Sequence, residues 1–375
     1  MGSLKSELQS KGRLDPGPEM VQDMVEHGLV EVPLAFIRPP HERALLQRRI
    51  ETPRLPVPVI DMAMLGLDRP SKKTVEDQTI RACEEWGFFR VVNHGVSETL
   101  MDAAMDVAKG FYGLSAADKA EFRVREGGGV GYGRYFESAG APKDWVDRLV
   151  LITVNKDANE EPYDIVLDKP PGSHQVLKRY GDAIHELARK VLAILSEGLG
   201  QSPDFLCNQF AGEAAPLRTS LNFYPPCPNP DLVMGCSGHT DVSSLTILQQ
   251  AAESGLQVLK DELWVPVPPI PHSFVVNIGD MLQMISNNRF KSAYHQAVAL
   301  PAGCFSIANF FQPKRDTLVQ PAAELCSRFK PPVFRSVRFG EYLTDTLQIE
   351  LTTRGVDRMK LTPAVDSSPT VEAYA

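Results

Sequence analysis

Residues 219–226 read TSLNFYPP, and the same texture continues through SSLTILQQ (243–250), GLQVLKD (255–261), WVPVPP (264–269), SFVVNIGD (273–280), FKSAYHQAV (290–298) and CFSIANFFQP (304–313). Each run is short, apolar or alternating, and closed by Pro, Gly, Asn or Asp. In a strand, successive side chains leave opposite faces, so such runs read as strands of a half-buried sheet. Many short strands with frequent turns indicate an antiparallel sandwich or barrel rather than alternating βαβ units. The residues before 218 read differently. Leu177, Ile184, Leu187, Ala188, Val191 and Ile194 form a helical stripe suited to bracing a sheet. Val75, Ile80, Cys83 and Trp86 predict a helix stopped at Gly87, FFRVVNH (88–94) a buried strand, and Ser97-Glu98 the start of a helix carrying Leu100, Met101, Ala104, Val107 and Phe111. The fold class is therefore mixed α and β, helices first and strands after.

Working outward, the compact part begins at the short strand Val57–Asp61. Residues 1–55 form an accessory segment in which Val21, Met24, Val25 and Leu29 recur at helical spacing. The expected organisation is 1–55 accessory segment, 56–217 helix-rich part, 218–320 catalytic strands, 321–361 helical closure built on RSVRFGEYLTDTL (335–347), and 362–375 tail. The stretch VREGGGVGYG (124–133) is a tight loop, without the Lys-Ser/Thr ending of a phosphate-binding loop.

Composition narrows the function. Lys+Arg 39 against Asp+Glu 47 gives a net charge of -8, which argues against a nucleic-acid surface. The six cysteines form no CxxC pair and are too sparse for a disulfide scaffold. The N-terminus lacks the apolar core of a secretory signal, and no run approaches 18 apolar residues. A reduced, cytoplasmic protein without membrane or nucleic-acid partners is expected, a monomer rather than a dimer.

The residues that carry chemistry are His239, Asp241 and His295. His239 and Asp241 are two apart on an expected strand, so both side chains leave one face, and His295 lies near the end of the run 290–298. Two imidazoles and one carboxylate make a facial triad that leaves positions open around Fe(II) for O₂ and an organic co-substrate. Zinc is the rival ion, with no redox route to O₂. Taken alone, this spacing also describes ordinary surface or hydrogen-bonded core histidines, since the chain has eight.

The surrounding blocks are Asn222-Phe223-Tyr224-Pro225-Pro226-Cys227-Pro228, Gly238-His239-Thr240-Asp241 running on to Gln249, Asn277-Ile278-Gly279-Asp280-Met281, and Lys291-Ser292-Ala293-Tyr294-His295. In the N-terminal half they are Pro58-Val59-Ile60-Asp61, Glu85-Trp86-Gly87-Phe88-Phe89 and Val92-Asn93-His94-Gly95. In this order they resemble the plant 2-oxoglutarate- and Fe(II)-dependent dioxygenases, from about residue 57 to 345. The resemblance implies a double-stranded β-helix (jelly roll) core with flanking helices and His239, Asp241 and His295 as iron ligands. It places Asn222 and Tyr224 in the co-substrate pocket, with Tyr224 bonding a carboxylate. Trp86 and the Asn93-His94-Gly95 turn match fold-supporting positions.

One element of the family pattern is missing. About ten residues after the second ligand histidine, the family carries Arg-x-Ser, whose arginine grips the distal carboxylate of 2-oxoglutarate. Here the tripeptide is Cys304-Phe305-Ser306, and no Arg or Lys lies between His295 and Lys314. A lost charged partner at a buried site costs about 2–5 kcal/mol, and a neutral thiol is too feeble a donor to replace it. Three readings follow: another basic group, with His272 the candidate, supplies the contact; the iron enzyme uses a different co-substrate; or the scaffold performs non-oxidative chemistry.

By the resemblance, the activity is oxidation of a small plant specialised metabolite by hydroxylation, demethylation, desaturation or ring closure, with O₂, 2-oxoglutarate and possible help from ascorbate. Tyr135 and Phe136 in the middle loop, Phe305, Asn309 and Phe311 on the returning strand, and Phe334 and Tyr342 near the C-terminal helix are the expected contacts to a hydrophobic or aromatic substrate. Lys143, Asp144, Trp145, Asp147 and Arg148 are expected to knit the domain together rather than react.

Overall fold

The computed structural model describes residues 20–46, 56–124, 129–134, 141–154, 165–210, 212, 215–348 and 354–361. Its frame is one large sheet facing a smaller one. The strands are β1 (Val59–Asp61), β2 (Phe88–Val92), β3 (Gly131–Gly133), β4 (Asp147–Val154), β5 (Leu217–Tyr224), β6 (Met234–His239), β7 (Leu245–Gln250), β8 (Leu256–Lys260), β9 (Leu263–Pro266), β10 (Phe274–Ile278), β11 (His295–Val298), β12 (Cys304–Phe311), β13 (Leu318–Val319) and β14 (Val337–Arg338). The large sheet runs β1-β2-β10-β7-β12-β5-β4-β3 and the small one β6-β11-β8-β9, with β13 and β14 paired apart. From β5 to β12 the chain passes back and forth between the two sheets, with only β8 and β9 consecutive in one sheet, the arrangement of a jelly roll.

Strand parity gives the large sheet two unlike faces. Leu149, Leu151, Leu217, Leu221, Leu245, Ile247, Val276 and Ile307 point outward into the main core. That core is completed by helices α2 (Arg69–Glu85), α3 (Glu98–Tyr112) and α4 (Ser173–Gly198), the last carrying the stripe Leu177, Ile184, Leu187, Ala188, Val191 and Ile194, while α1 (Val21–Glu26) packs in a separate cluster around Trp145. A further helix, α5 (Phe339–Gln348), follows β14. The inner face meets the small sheet. Toward β2 the two are joined by an apolar cluster of Phe88, Trp86, Val258, Leu256, Val265 and Val275. Elsewhere the inner face carries the polar side chains Arg148, Ser220, Asn222, Thr246, Asn277 and Ser306 beside Val150 and Ala308.

Gly87 is required where α2 turns into β2. Its φ is +65°, and a Cβ there would sit 2.0 Å from the Lys291 carbonyl oxygen. His94 accepts from Val96 N–H at Nδ1 and lies 3.0 Å from the His272 carbonyl through Nε2, so it supports the turn before α3.

Two expectations about strands need correction. Asp241 does not share a strand with His239, because β6 ends at His239. The run 290–298 is a strand only from His295 onward, so His295 opens β11 instead of ending it. The preceding backbone is committed elsewhere: Asn287 and Asn288 take left-handed φ values of 48° and 68°, and Ser292 N–H donates to Gln283 Oε1.

Candidate metal centre

The three expected ligands meet at the rim of the small sheet. Their ligand atoms lie within 4.8 Å of one another. His239 and His295 sit opposite each other on β6 and β11, their rings 4.3 Å apart between centroids. Asp241 Oδ1 is 3.5 Å from His239 Nε2 and 3.8 Å from His295 Nε2.

The hydrogen bonds around the triad orient every ligand atom. His239 Nδ1 lies 2.8 Å from the Ser237 carbonyl and His295 Nδ1 lies 3.0 Å from the Ala293 carbonyl. A carbonyl only accepts, so each Nδ1 is a protonated nitrogen and each Nε2 is the atom left to meet a metal. Asp241 Oδ2 accepts from Thr246 Oγ1 at 2.6 Å and from Asn277 Nδ2 at 2.7 Å, which turns Oδ1 toward the imidazoles. Asp241 follows β6 in a loop held by Asp280 N–H donating to the Asp241 carbonyl. Asp280 accepts in turn from Thr240 and Tyr342, and burial pushes its own carboxyl up to about 6.

The electrostatics suit a cation. Burial opposes the Asp241 charge, but His295 and His239 with the Thr246 hydroxyl hold its carboxyl well below the usual range. Burial and the neighbouring His239 push His295 down to about 4, so it is neutral at pH 7. His239 moves up, because Cys236 and Asp241 outweigh burial. A single divalent ion, replacing that one proton, fits this donor set of two neutral imidazoles and one carboxylate.

Inside the cup, the expected co-substrate residues form a connected patch. Asn222 Nδ2 donates to Ser306 Oγ across β5 and β12. Tyr224 is buried with its ring over Gly235, where a Cβ would lie 3.0 Å from the ring. Cys304 pairs with Tyr224 along the sheet, and burial pushes its thiol up to about 11, so it carries no charge at pH 7.

Several expected residues lie elsewhere. His272 faces α3 at the surface, with Nε2 3.0 Å from Asp102 and Nδ1 3.3 Å from Glu98, and cannot be the compensating base. Phe305, Asn309 and Phe311 share the outward parity of β12. Phe305 stacks on Phe223 at 4.4 Å, Asn309 donates to the Ile247 carbonyl and to Tyr180 of α4, and Phe311 packs against His185 and Phe210. They brace the helices instead of lining the cup. Phe334 and Tyr342 do not close a mouth, because both are buried in the main core and Tyr342 is tied to Asp280. Tyr135 and Phe136 lie outside the described residues.

The expectation that residues 143–148 knit the domain needs division. Asp144 binds Arg38 and Ser237, Trp145 donates to the Pro225 carbonyl, and Asp147 accepts from Val21 and Gln22 N–H at the start of α1. Arg148 instead takes the inner face of β4, opposite Asn222. Thr246 and Asn277 are the residues around the triad to which the sequence reading gave no role.

Comparison with known proteins agrees with this geometry. Residues 217–313 match the model of the 2OG-Fe(II) oxygenase superfamily, and residues 57–170 match that of the non-haem dioxygenase in morphine synthesis N-terminal region. Jasmonate-induced oxygenase 2 of Arabidopsis thaliana is 34% identical over 342 residues, covering 88% of this chain and 91% of that protein. Flavonol synthase/flavanone 3-hydroxylase of the same plant is 35% identical over 331 residues, covering 86% and 96%. Among solved structures, JOX2 in complex with 2OG, Fe and JA superposes with a TM-score of 0.80 at 32% identity, covering 92% of this chain and 98% of that one.

Proposed function

This chain belongs to the plant-type 2-oxoglutarate- and Fe(II)-dependent dioxygenases, and we propose that it oxidises a small plant specialised metabolite with a hydrophobic or aromatic body. It is a non-haem Fe(II) oxidoreductase acting on a small molecule. The observation that carries the reading is the triad itself, with both imidazole tautomers fixed and Asp241 turned so that three donors converge on one point. Bound there, Fe(II) would supply the oxygen chemistry, coupled to oxidative decarboxylation of 2-oxoglutarate to succinate and CO₂. His239, Asp241 and His295 would hold the metal. Asn222, Tyr224 and Ser306 offer hydrogen bonds to the co-substrate, and the apolar cluster around Phe88 and Trp86 closes one end of the cup to water.

Relatives whose names specify flavonoid chemistry support a ring-bearing substrate of similar size. Which C–H bond is presented decides among hydroxylation, demethylation, desaturation and ring closure. The six free cysteines suit the reducing cytoplasm, and ascorbate is the reductant that suits keeping the metal ferrous. Among the described residues no helix is long and apolar enough to cross a membrane.

The test is to supply the full-length chain with Fe(II), 2-oxoglutarate and O₂, and a panel of phenolic, alkaloid and hormone-like metabolites. Succinate and oxidised product should appear together by mass spectrometry. Both should vanish in Asp241→Ala. Product formation that survives in Asp241→Ala, or that needs no O₂, would overturn the assignment.

A further inference from the structure

Two segments that carry metal ligands are held by contacts outside the sheet ladders. β6 ends at His239, so Asp241 sits in a loop, and the residues just before His295 are not strand. Buried backbone groups that leave a sheet still need partners. The short helix Asp280–Ile285 and the glycine before it receive the Asp241 loop. The N–H groups of Gly279, Asp280 and Met281 donate to the Ser244, Asp241 and Ser243 carbonyls at 2.9, 2.8 and 3.2 Å. Ser292 is gripped at both backbone groups, its N–H by Gln283 Oε1 at 2.6 Å and its carbonyl by Arg354 Nη2. Arg354 Nη2 also donates to Gln283 Oε1 at 3.2 Å, so the three groups close on one another. Ser292 immediately precedes Ala293, whose carbonyl fixes the Nδ1 proton of His295.

Both grips end in the C-terminal part of the chain. Asp280 Oδ2 accepts from the Tyr342 hydroxyl at 2.6 Å and from Thr240 Oγ1 at 3.2 Å. Thr240 stands between His239 and Asp241, so Asp280 holds this loop by its carboxylate as well as by its N–H. Tyr342 lies on α5, and the chain comes back against it at Gly355, where a Cβ would sit 2.4 Å from the Tyr342 hydroxyl oxygen. A residue without a side chain at 355 leaves that hydroxyl its path to Asp280. Apolar anchorage of this part is already supplied by Phe339, Val356 and Met359 in the main core. Apolar burial has no direction, whereas hydrogen bonds to a carboxylate and a carbonyl fix where those groups lie.

We propose that Tyr342 and Arg354 are positioning residues of the metal centre, Tyr342 acting through Asp280 on the Asp241 loop and Arg354 acting through Ser292 on the backbone that sets His295. The proposal rests on the metal reading of the triad. It adds that the last part of the chain determines how tightly, and in what geometry, the metal is held.

The experiment reads the metal, not turnover. Full-length protein is titrated under argon with Fe(II) against a competing chelator. A second titration uses Co(II), whose visible d–d bands report the arrangement of its ligands. Tyr342→Phe keeps the ring in the core and removes one hydroxyl, and Arg354→Met removes the grip on Ser292. Each should weaken metal binding about fivefold or more and alter the Co(II) bands, an effect below the roughly 10–100-fold typical of a partner bonded to the ligand itself. Val356→Ala is the control, a cavity in the same segment that removes none of these hydrogen bonds. It should lower the melting temperature of the metal-free protein and leave metal affinity within about twofold. Arg354→Lys, which can still reach one acceptor, should recover part of the loss. Unchanged affinity and bands in both folded variants overturn the proposal and leave the metal centre standing. An effect confined to one variant overturns the assignment of the other residue. A loss in Val356→Ala as large as in the two variants also overturns the proposal, since anchorage alone would then suffice. Wild-type protein that binds neither ion overturns the metal reading itself. Should Tyr342→Phe fail to fold, Arg354→Met, at a partly exposed position, decides alone.

Discussion

Replacing Thr246 by Val tests the idea that the triad is oriented from behind. Valine keeps the branched shape on β7 and removes only the hydroxyl. That hydroxyl donates to Asp241 Oδ2 at 2.6 Å, and Asn277 provides the companion bond at 2.7 Å. A hydrogen bond to a charged carboxylate contributes roughly 1.5–3 kcal/mol. Two effects then compete. A less solvated Oδ2 is more basic, which strengthens attraction to a cation. A carboxylate held by one donor instead of two also rotates more freely, so Oδ1 faces the metal less of the time. Orientation should dominate, because both imidazoles are already fixed by backbone carbonyls and only Asp241 depends on side chains. Loss of such an outer-shell partner typically lowers metal affinity about 10–100-fold. The assay is a chelator-competition titration with Fe(II) under argon, alongside a thermal melt to establish folding. Metal affinity within twofold of wild type, or tighter, would refute the orientation argument.

Other expectations follow from the same geometry. Because His239 is pushed up and gives up its proton when a metal binds, metal affinity should rise with pH and binding should release protons, and a flat profile would contradict this. Cys304→Arg should tighten 2-oxoglutarate at least about tenfold, read from the visible charge-transfer band of the anaerobic iron complex, and no tightening in a folded, iron-loaded variant would mean the pocket beside Tyr224 has been rebuilt. Asp147→Asn keeps an acceptor for only one of the Val21 and Gln22 N–H groups and should cost about 1–3 kcal/mol in denaturant unfolding. Burial pushes the Asp147 carboxyl from 3.8 to about 6, so the folded chain holds this proton more tightly than the unfolded one. Its contribution is complete below pH 3.8 and falls as pH rises to about 6, a slope the Asn variant should lack.

The metal ligands were legible because their neighbours in the chain carry distinctive blocks. The orientation of Asp241 was not, since it depends on Thr246 and Asn277 arriving from other strands. The aromatic contacts on β12 show a signal that was present but unused. Asn222 and Ser306 both face inward, so Phe305, Asn309 and Phe311, at odd positions of the same strand, must face the helices. His272 was singled out for its chemistry alone, and nothing local announces that a left-handed turn delivers it to Glu98 and Asp102. Arg148 was hidden for a different reason. Its facing depends on the register of β4 against β5, a pairing between segments about 70 residues apart in sequence.

Position 304 also bears on what the cup has room for. Cys304 pairs with Tyr224 on the inner face, two residues along the sheet from the Asn222–Ser306 pair. A small uncharged side chain there leaves the ground beside Tyr224 open to other atoms. Cys304→Arg should then have a second consequence beyond tighter 2-oxoglutarate: bulky substrates accepted by the wild type should lose affinity while the smallest ones are spared. Uniform retention of the whole substrate range in a folded Cys304→Arg variant would show that substrate does not occupy the space beside Tyr224.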